Sequence, residues 1–149
     1  MTLVQTSVGP LGADSDHQAI TRLIWGRAGT LAGGPLAAQF SEEMNAYFAG
    51  TLHHFTLPMA PGGSAFQRAF YAALAAIPFG QTRTYGDLAQ DLGVSAQAIG
   101  QACGANPIPI LIPCHRVLGA NSLGGYSGAG GIEAKVTLLR HEGAAGLLI

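Results

Sequence analysis

Residues 59–64 read "MAPGGS". A proline, two glycines and a serine within six positions stop a helix or a central strand and mark a turn or linker. The pattern of the chain changes across this point. Before it, "TLVQTSVGPLGA" (2–13) and "QAITRLIWG" (18–26) hold short β-prone runs flanked by polar and glycine-rich turns. They predict antiparallel strands. "PLAAQFSEEMNAYFAGT" (35–51) spaces Leu36, Phe40, Met44, Tyr47 and Phe48 as one helical face, with Pro35 in the first turn and Gly50 past the end. "HHFTLP" (53–58) predicts another short strand. Residues 1–60 are expected to form a small α/β domain.

After the linker the pattern turns helical, and residues 61–149 are expected to form a second domain. Ser64 can cap a helix reaching about Ala76, with Phe66, Phe70, Leu74 and Ile77 on one face. "TYGDLAQDLGVSAQAIGQACGANP" (84–107) offers two caps, Thr84 and Ser95, with Gly93 between the helices they start. Two short helices joined by a glycine-containing turn are the mark of a helix-turn-helix. A helical hairpin without a DNA role has the same look. Residues 106–131 are rich in Pro and Gly and read as irregular, and "IEAKVTLLRHEG" (132–143) closes as a helix ended by Gly143.

Charge does not advertise a nucleic-acid partner. The formal net charge is −1, and only 10% of residues are charged. Any DNA binding must rest on few phosphate contacts. The longest apolar stretch, "AFYAALAAIPFG", is broken by Pro78, and the first residues show no basic-then-apolar signal pattern. A cytoplasmic protein is the expectation. The two cysteines, Cys103 and Cys114, form no C-x-x-C pair, and the five histidines lack zinc-ligand spacing. Neither a metal nor any other cofactor is expected.

Cys114 stands in "IPCHRV". A thiol becomes a nucleophile when a histidine or a positive potential favours the thiolate. His115 is its neighbour, and a water can bridge the two. A carboxylate would then orient the imidazole, and Glu142 in "RHEG" is a candidate. Cys103 reads as packing.

"IPCHRV" resembles the active-site signature of the O6-alkylguanine-DNA alkyltransferases, also called methylated-DNA–protein-cysteine methyltransferases. "YFAG", "FTLP", "FQRAFYAALAAIPFGQTRTYGDLA", "GANPIPILIPCHRV", "GGYSG" and "IEAKVTLLRHEG" follow in the order seen in that family. The resemblance covers roughly residues 36–143 well and the N-terminal strands loosely. It implies a ribonuclease-H-like α/β domain with an antiparallel sheet, and a mainly helical, winged-helix-like domain with a helix-turn-helix. It implies a single-turnover reaction too, in which a flipped O6-alkylguanine gives its alkyl group to Cys114. By the same resemblance His115 is the water-linked base and Glu142 its orienting carboxylate. Asn106 is the hinge beside the site. Tyr85 helps turn the nucleotide and assists the leaving guanine.

Pro109, Gly125, Tyr126 and Ser127 wall the substrate pocket in this reading. Ser95, Ala96, Gln97, Tyr85 and Arg116 meet the DNA. The partner is double-stranded DNA, entered through the minor groove by a monomer. Two departures stand out. Gln97 occupies the position of an arginine that in the family fills the space left by the flipped base. The loop "YSGAGGIEAK" is also one or two residues longer than the family's "YSGG" form. The alternatives are therefore a transferase specialised for bulky or unusual adducts, and a lesion-binding sensor with weak transfer. A plain helix-turn-helix regulator fits poorly, given the few basic residues and the "PCHRV" signature.

Overall fold

A computed structural model describes residues 2–126, 128 and 130–144. The chain is mixed α/β, with a three-stranded antiparallel sheet, a two-stranded ladder and five helices among the described residues. It divides into two compact units, Met1–Pro61 and Gly62–Ile149.

In the first unit, β1 (Val4–Thr6), β2 (Gly9–Ser15) and β3 (Ile20–Trp25) pair in chain order. Leu11 and Ala13 alternate into the core, as period-two strands require. Helix α1 (Gly34–Phe48) begins with Pro35 in its first turn. It buries Ala37, Phe40, Met44 and Tyr47, while Leu36 and Phe48 flank that face half-buried.

The expected strand at 53–58 is not formed. Its amides are taken by a side chain instead of a strand partner. Glu43, buried on α1, accepts from the backbone N–H groups of Thr56 (2.7 Å) and Leu57 (3.2 Å). Its second oxygen accepts from Thr56 Oγ1 (2.7 Å) and Gln39 Nε2 (2.7 Å). Pairing starts only at Met59, as a single parallel bridge to Ile20. A carboxylate holding several donors is a strong substitute for a ladder.

The second unit follows its caps. Ser64 starts α2 (Ala65–Ala75) through a reciprocal capping box with Gln67, and Thr84 starts α3 (Tyr85–Leu92) the same way with Asp87. Gly93 ends α3 in the left-handed region (φ 69°), where a side chain would be strained. Ser95 then caps α4 (Ala96–Gly104). Leu88, Ala89, Ile99 and Ala102 are the buried positions of this pair. Between α4 and α5 (Gly131–Glu142) the chain is mostly irregular, as expected. It carries one 3₁₀ turn over Cys114–Arg116, and then β5 (Val117–Leu118), which pairs in parallel with β4 (Arg83–Thr84). That ladder ties the segment after the turn to the start of α3. Helix α5 ends at Gly143 in the left-handed region (φ 67°).

Candidate active site

Four residues before Cys114, Ile110 holds φ 73° with its side chain buried. For a β-branched residue this conformation costs on the order of 1–3 kcal/mol and needs strong support. Asn106 supplies part of it. Its amide donates to the Ile112 carbonyl (2.8 Å) and its oxygen accepts from the Ile108 N–H (3.0 Å). The asparagine that the family resemblance places at a hinge thus clamps the loop that presents the cysteine.

Cys114 opens the 3₁₀ turn after Pro113 and is 3% exposed. Burial pushes its thiol pKa up, against the Asn106 hydrogen bond and the Lys135 charge, which favour the thiolate. The sulfur rests as a thiol, and its proton must leave as it reacts.

The next two residues turn to one carboxylate. His115 Nε2 lies 2.8 Å from Glu142 Oε2, with both side chains fully buried. Arg116 forks onto Glu142 through Nε to Oε1 (2.8 Å) and Nη2 to Oε2 (2.9 Å), and donates from Nη1 to the Ile77 carbonyl (2.7 Å). The fork fixes where Oε2 points. Burial lowers the His115 pKa more than Glu142 raises it, so the imidazole rests neutral. A neutral ring donating from Nε2 presents a lone pair at Nδ1. That atom is buried and has no hydrogen-bond partner among the described residues.

This geometry corrects one expectation. Arg116 is not a DNA contact, because its side chain is 7% exposed and its guanidinium is engaged by Glu142 and Ile77.

Cys114 borders a cavity of about 350 Å³. Tyr85 of α3, Gly100, Cys103 and Gly104 of α4, and Gly125 and Tyr126 of the following loop form the rest of its lining. Gly124 is required beside it: a Cβ there would lie 2.6 Å from Tyr85 Oη. Tyr85 and Tyr126 both have phenol pKa values raised, first by burial, and so keep their protons. Pro109 is buried but is not part of the lining, so its expected place on the pocket wall is not found. Ser127 lies outside the described residues. Ser95 spends its hydroxyl on the Ala98 N–H (3.1 Å) as a cap, while Ala96 and Gln97 are exposed on the first turn of α4.

Two residues were missed in the sequence. Lys135, the chain's single lysine, is fully buried. Its ammonium donates to the carbonyls of Val117 (2.7 Å) and Gly125 (3.0 Å) and lies 5.8 Å from the Tyr85 ring centroid. It ties the cavity loop to the chain after the 3₁₀ turn. The signal was present, since Lys135 shares a helical face with Leu138, Leu139 and Glu142. Cys103, expected to be packing, lines the cavity, and burial pushes its thiol up to about 12. Its spacing from Gly100 and Gly104 places all three on one face of α4.

A larger groove, about 720 Å³, lies in the first unit beside Ser15, His17, Thr30 and Gln39. No cysteine or acidic residue lines it, so size alone does not locate the chemistry. Among the described residues, no group of three or more His, Cys, Asp or Glu is placed to hold a metal, and no helix is long and apolar enough to cross a membrane.

The family model described as "6-O-methylguanine DNA methyltransferase, DNA binding domain" matches residues 65–144. The chain belongs to this methyltransferase family. The match spans α2 to the end of α5, and so holds every cavity residue and the Glu142 cluster. It is the family that the "IPCHRV" resemblance pointed to. A Methanosarcina acetivorans protein named methylated-DNA–protein-cysteine methyltransferase is 47% identical over 107 residues, covering 70% of this chain and 67% of the relative. A Shigella flexneri protein of the same name is 50% identical, covering 69% and 61%. The matched region is thus roughly two thirds of those relatives' length.

Solved methyltransferase structures match more of the fold. The crystal structure of Mycobacterium tuberculosis OGT in complex with DNA superposes with a TM-score of 0.83 at 36% identity, over 95% of this chain and 91% of that one. The O6-methylguanine-DNA methyltransferase of Pyrococcus kodakaraensis reaches 0.75 at 26% identity, over 96% and 99%.

Proposed function

We propose that this protein repairs DNA by moving the alkyl group of O6-alkylguanine onto its own Cys114, once per molecule. One observation carries the reading: a buried thiol borders a base-sized cavity beside an imidazole locked by Glu142 with Nδ1 open.

The steps follow from that arrangement. The target carbon is shielded inside a duplex, so the base must first leave the stack. Cys114 Sγ attacks the alkyl carbon, forming a C–S bond as the C–O6 bond breaks. The thiol proton passes to His115 Nδ1 through a water, and Glu142 stabilises the imidazolium. The electron pair departs on guanine. Tyr85, held protonated by burial, donates a hydrogen bond or proton to it. The protein keeps a thioether, which no group in the site can cleave, so the reaction ends after one turnover. Lys135 biases the buried site toward the thiolate as the proton leaves.

The α3–Gly93–α4 pair serves in this reading as a helix-turn-helix that enters the minor groove with its small exposed residues. The second unit is the DNA-binding and alkyl-acceptor domain, winged-helix-like, and the first is ribonuclease-H-like. A cytoplasmic monomer fits a reaction that needs reduced Cys114. The specialised-adduct and sensing alternatives are not favoured, since relatives about half identical carry the methyltransferase name. The test is transfer of radiolabel from an O6-[³H-methyl]guanine oligonucleotide. About one equivalent should bind per protein, with none on Cys114→Ser. Label retained by Cys114→Ser would refute the assignment.

A further inference from the structure

Five of the chain's seven cations belong to the second unit. Three of those five are already committed. Arg116 is forked onto Glu142, and Lys135 is buried against two carbonyls. Arg83 reaches Asp91 at 2.7 Å and Asp87 at 3.7 Å. Among the described residues of this unit, Arg68 and Arg140 remain as exposed cations outside an ion pair, and Arg68 donates to the Gly63 carbonyl (2.7 Å).

The exposed positions of α4 add no charge. They are Ala96, Gln97, Gly100, Gln101 and Gly104. Gln101 borders a groove beside Phe66 of α2. Gln97 is therefore the long side chain offered by the first turn of α4.

Taking a base out of an intact duplex costs a few kcal/mol, and least where the base is already unpaired. Proteins offset that cost with cations on phosphates and with a side chain that fills the emptied stack. Here the second unit offers two exposed cations outside ion pairs among the described residues, and the filler is neutral. Glutamine can hydrogen-bond an orphaned base but brings neither positive charge nor guanidinium stacking. Resting on the alkyltransferase reading, we infer that the preferred substrate is O6-alkylguanine in unpaired DNA rather than in an intact duplex.

The test uses the full chain and one O6-methylguanine oligonucleotide in three settings: single-stranded, opposite an abasic site, and opposite cytosine in a duplex. Single-turnover transfer should be at least about tenfold faster in the first two, an unstacking difference of about 1.4 kcal/mol or more. Gln97→Arg should raise the duplex rate by a larger factor than the single-strand rate. Duplex affinity should fall with salt at a log–log slope of about −4 or shallower, the limit when Arg22 and Arg27 of the first unit, also exposed, join Arg68 and Arg140. Equal or faster transfer in the cytosine duplex overturns the inference, as does a slope steeper than about −4. No transfer to any of the three would instead refute the alkyltransferase reading beneath it, which keeps the two failures distinct.

Discussion

Glu142 holds two functions with one carboxylate. It orients His115, and it neutralises an arginine that has little access to water. Glu142→Gln keeps the shape but leaves Arg116 without a counter-charge. Breaking a buried pair this way costs about 3–5 kcal/mol, and losing the base's orienting partner should slow transfer by about 10²–10⁴-fold. Thermal unfolding and single-turnover kinetics would measure the two losses separately. His115 sets the pH response. Its folded pKa is held below the ordinary 6.5, mainly by burial. Its stability contribution is therefore complete above pH 6.5 and is lost as pH falls through the folded value, because the unfolded chain takes up the proton first. Transfer should stay flat as pH drops through 6.5, where only the unfolded chain titrates, and decline only at the lower folded value, after stability in denaturant titrations has begun to fall. A rate that rises on acidification would contradict a neutral His115 base. At this scale the sequence was legible where residues share a motif. Cys114, His115 and Glu142 could be named from it. Arg116 could not be placed, because no local pattern says whether an arginine faces solvent or a carboxylate 26 residues away.

Helix starts were readable because a cap is local chemistry. Ser64, Thr84 and Ser95 each accept from an amide three residues on. Ser95 matters most for function, since α4 carries Gln97, Gly100, Cys103 and Gly104. Ser95→Ala should cost about 1 kcal/mol of stability. It should also slow transfer more than Ser64→Ala does, because α2 contributes nothing to the cavity lining. Parallel melting curves and transfer rates for the two variants would check this. The misread strand at 53–58 has the opposite origin. Its backbone partner is the Glu43 side chain, contributed from another element. The two-residue β4–β5 ladder escaped notice for a similar reason, since it pairs residues 34 positions apart and is too short to show alternation.

Across the whole molecule, the two compact units meet in sequence between Pro61 and Gly62, within "MAPGGS". The first unit supplies the three-stranded sheet and the Glu43 clamp, and the second holds the thiol, His115 and the cavity. Low charge does not advertise a nucleic-acid partner, and under the proposed function it limits how DNA can be held: few phosphate contacts and a neutral Gln97. Two thiols in one cavity give the sharpest check on the central claim. Burial pushes both thiols up, Cys103 to about 12, and of the two it is Cys114 that adjoins His115 in the chain. The measurement is intact-mass and peptide-mass analysis after incubation with excess O6-methylguanine DNA. One methyl group per molecule, on the Cys114 peptide, with Cys103 unmodified, is the predicted result. An unchanged mass despite DNA binding, or methylation at Cys103, would contradict it.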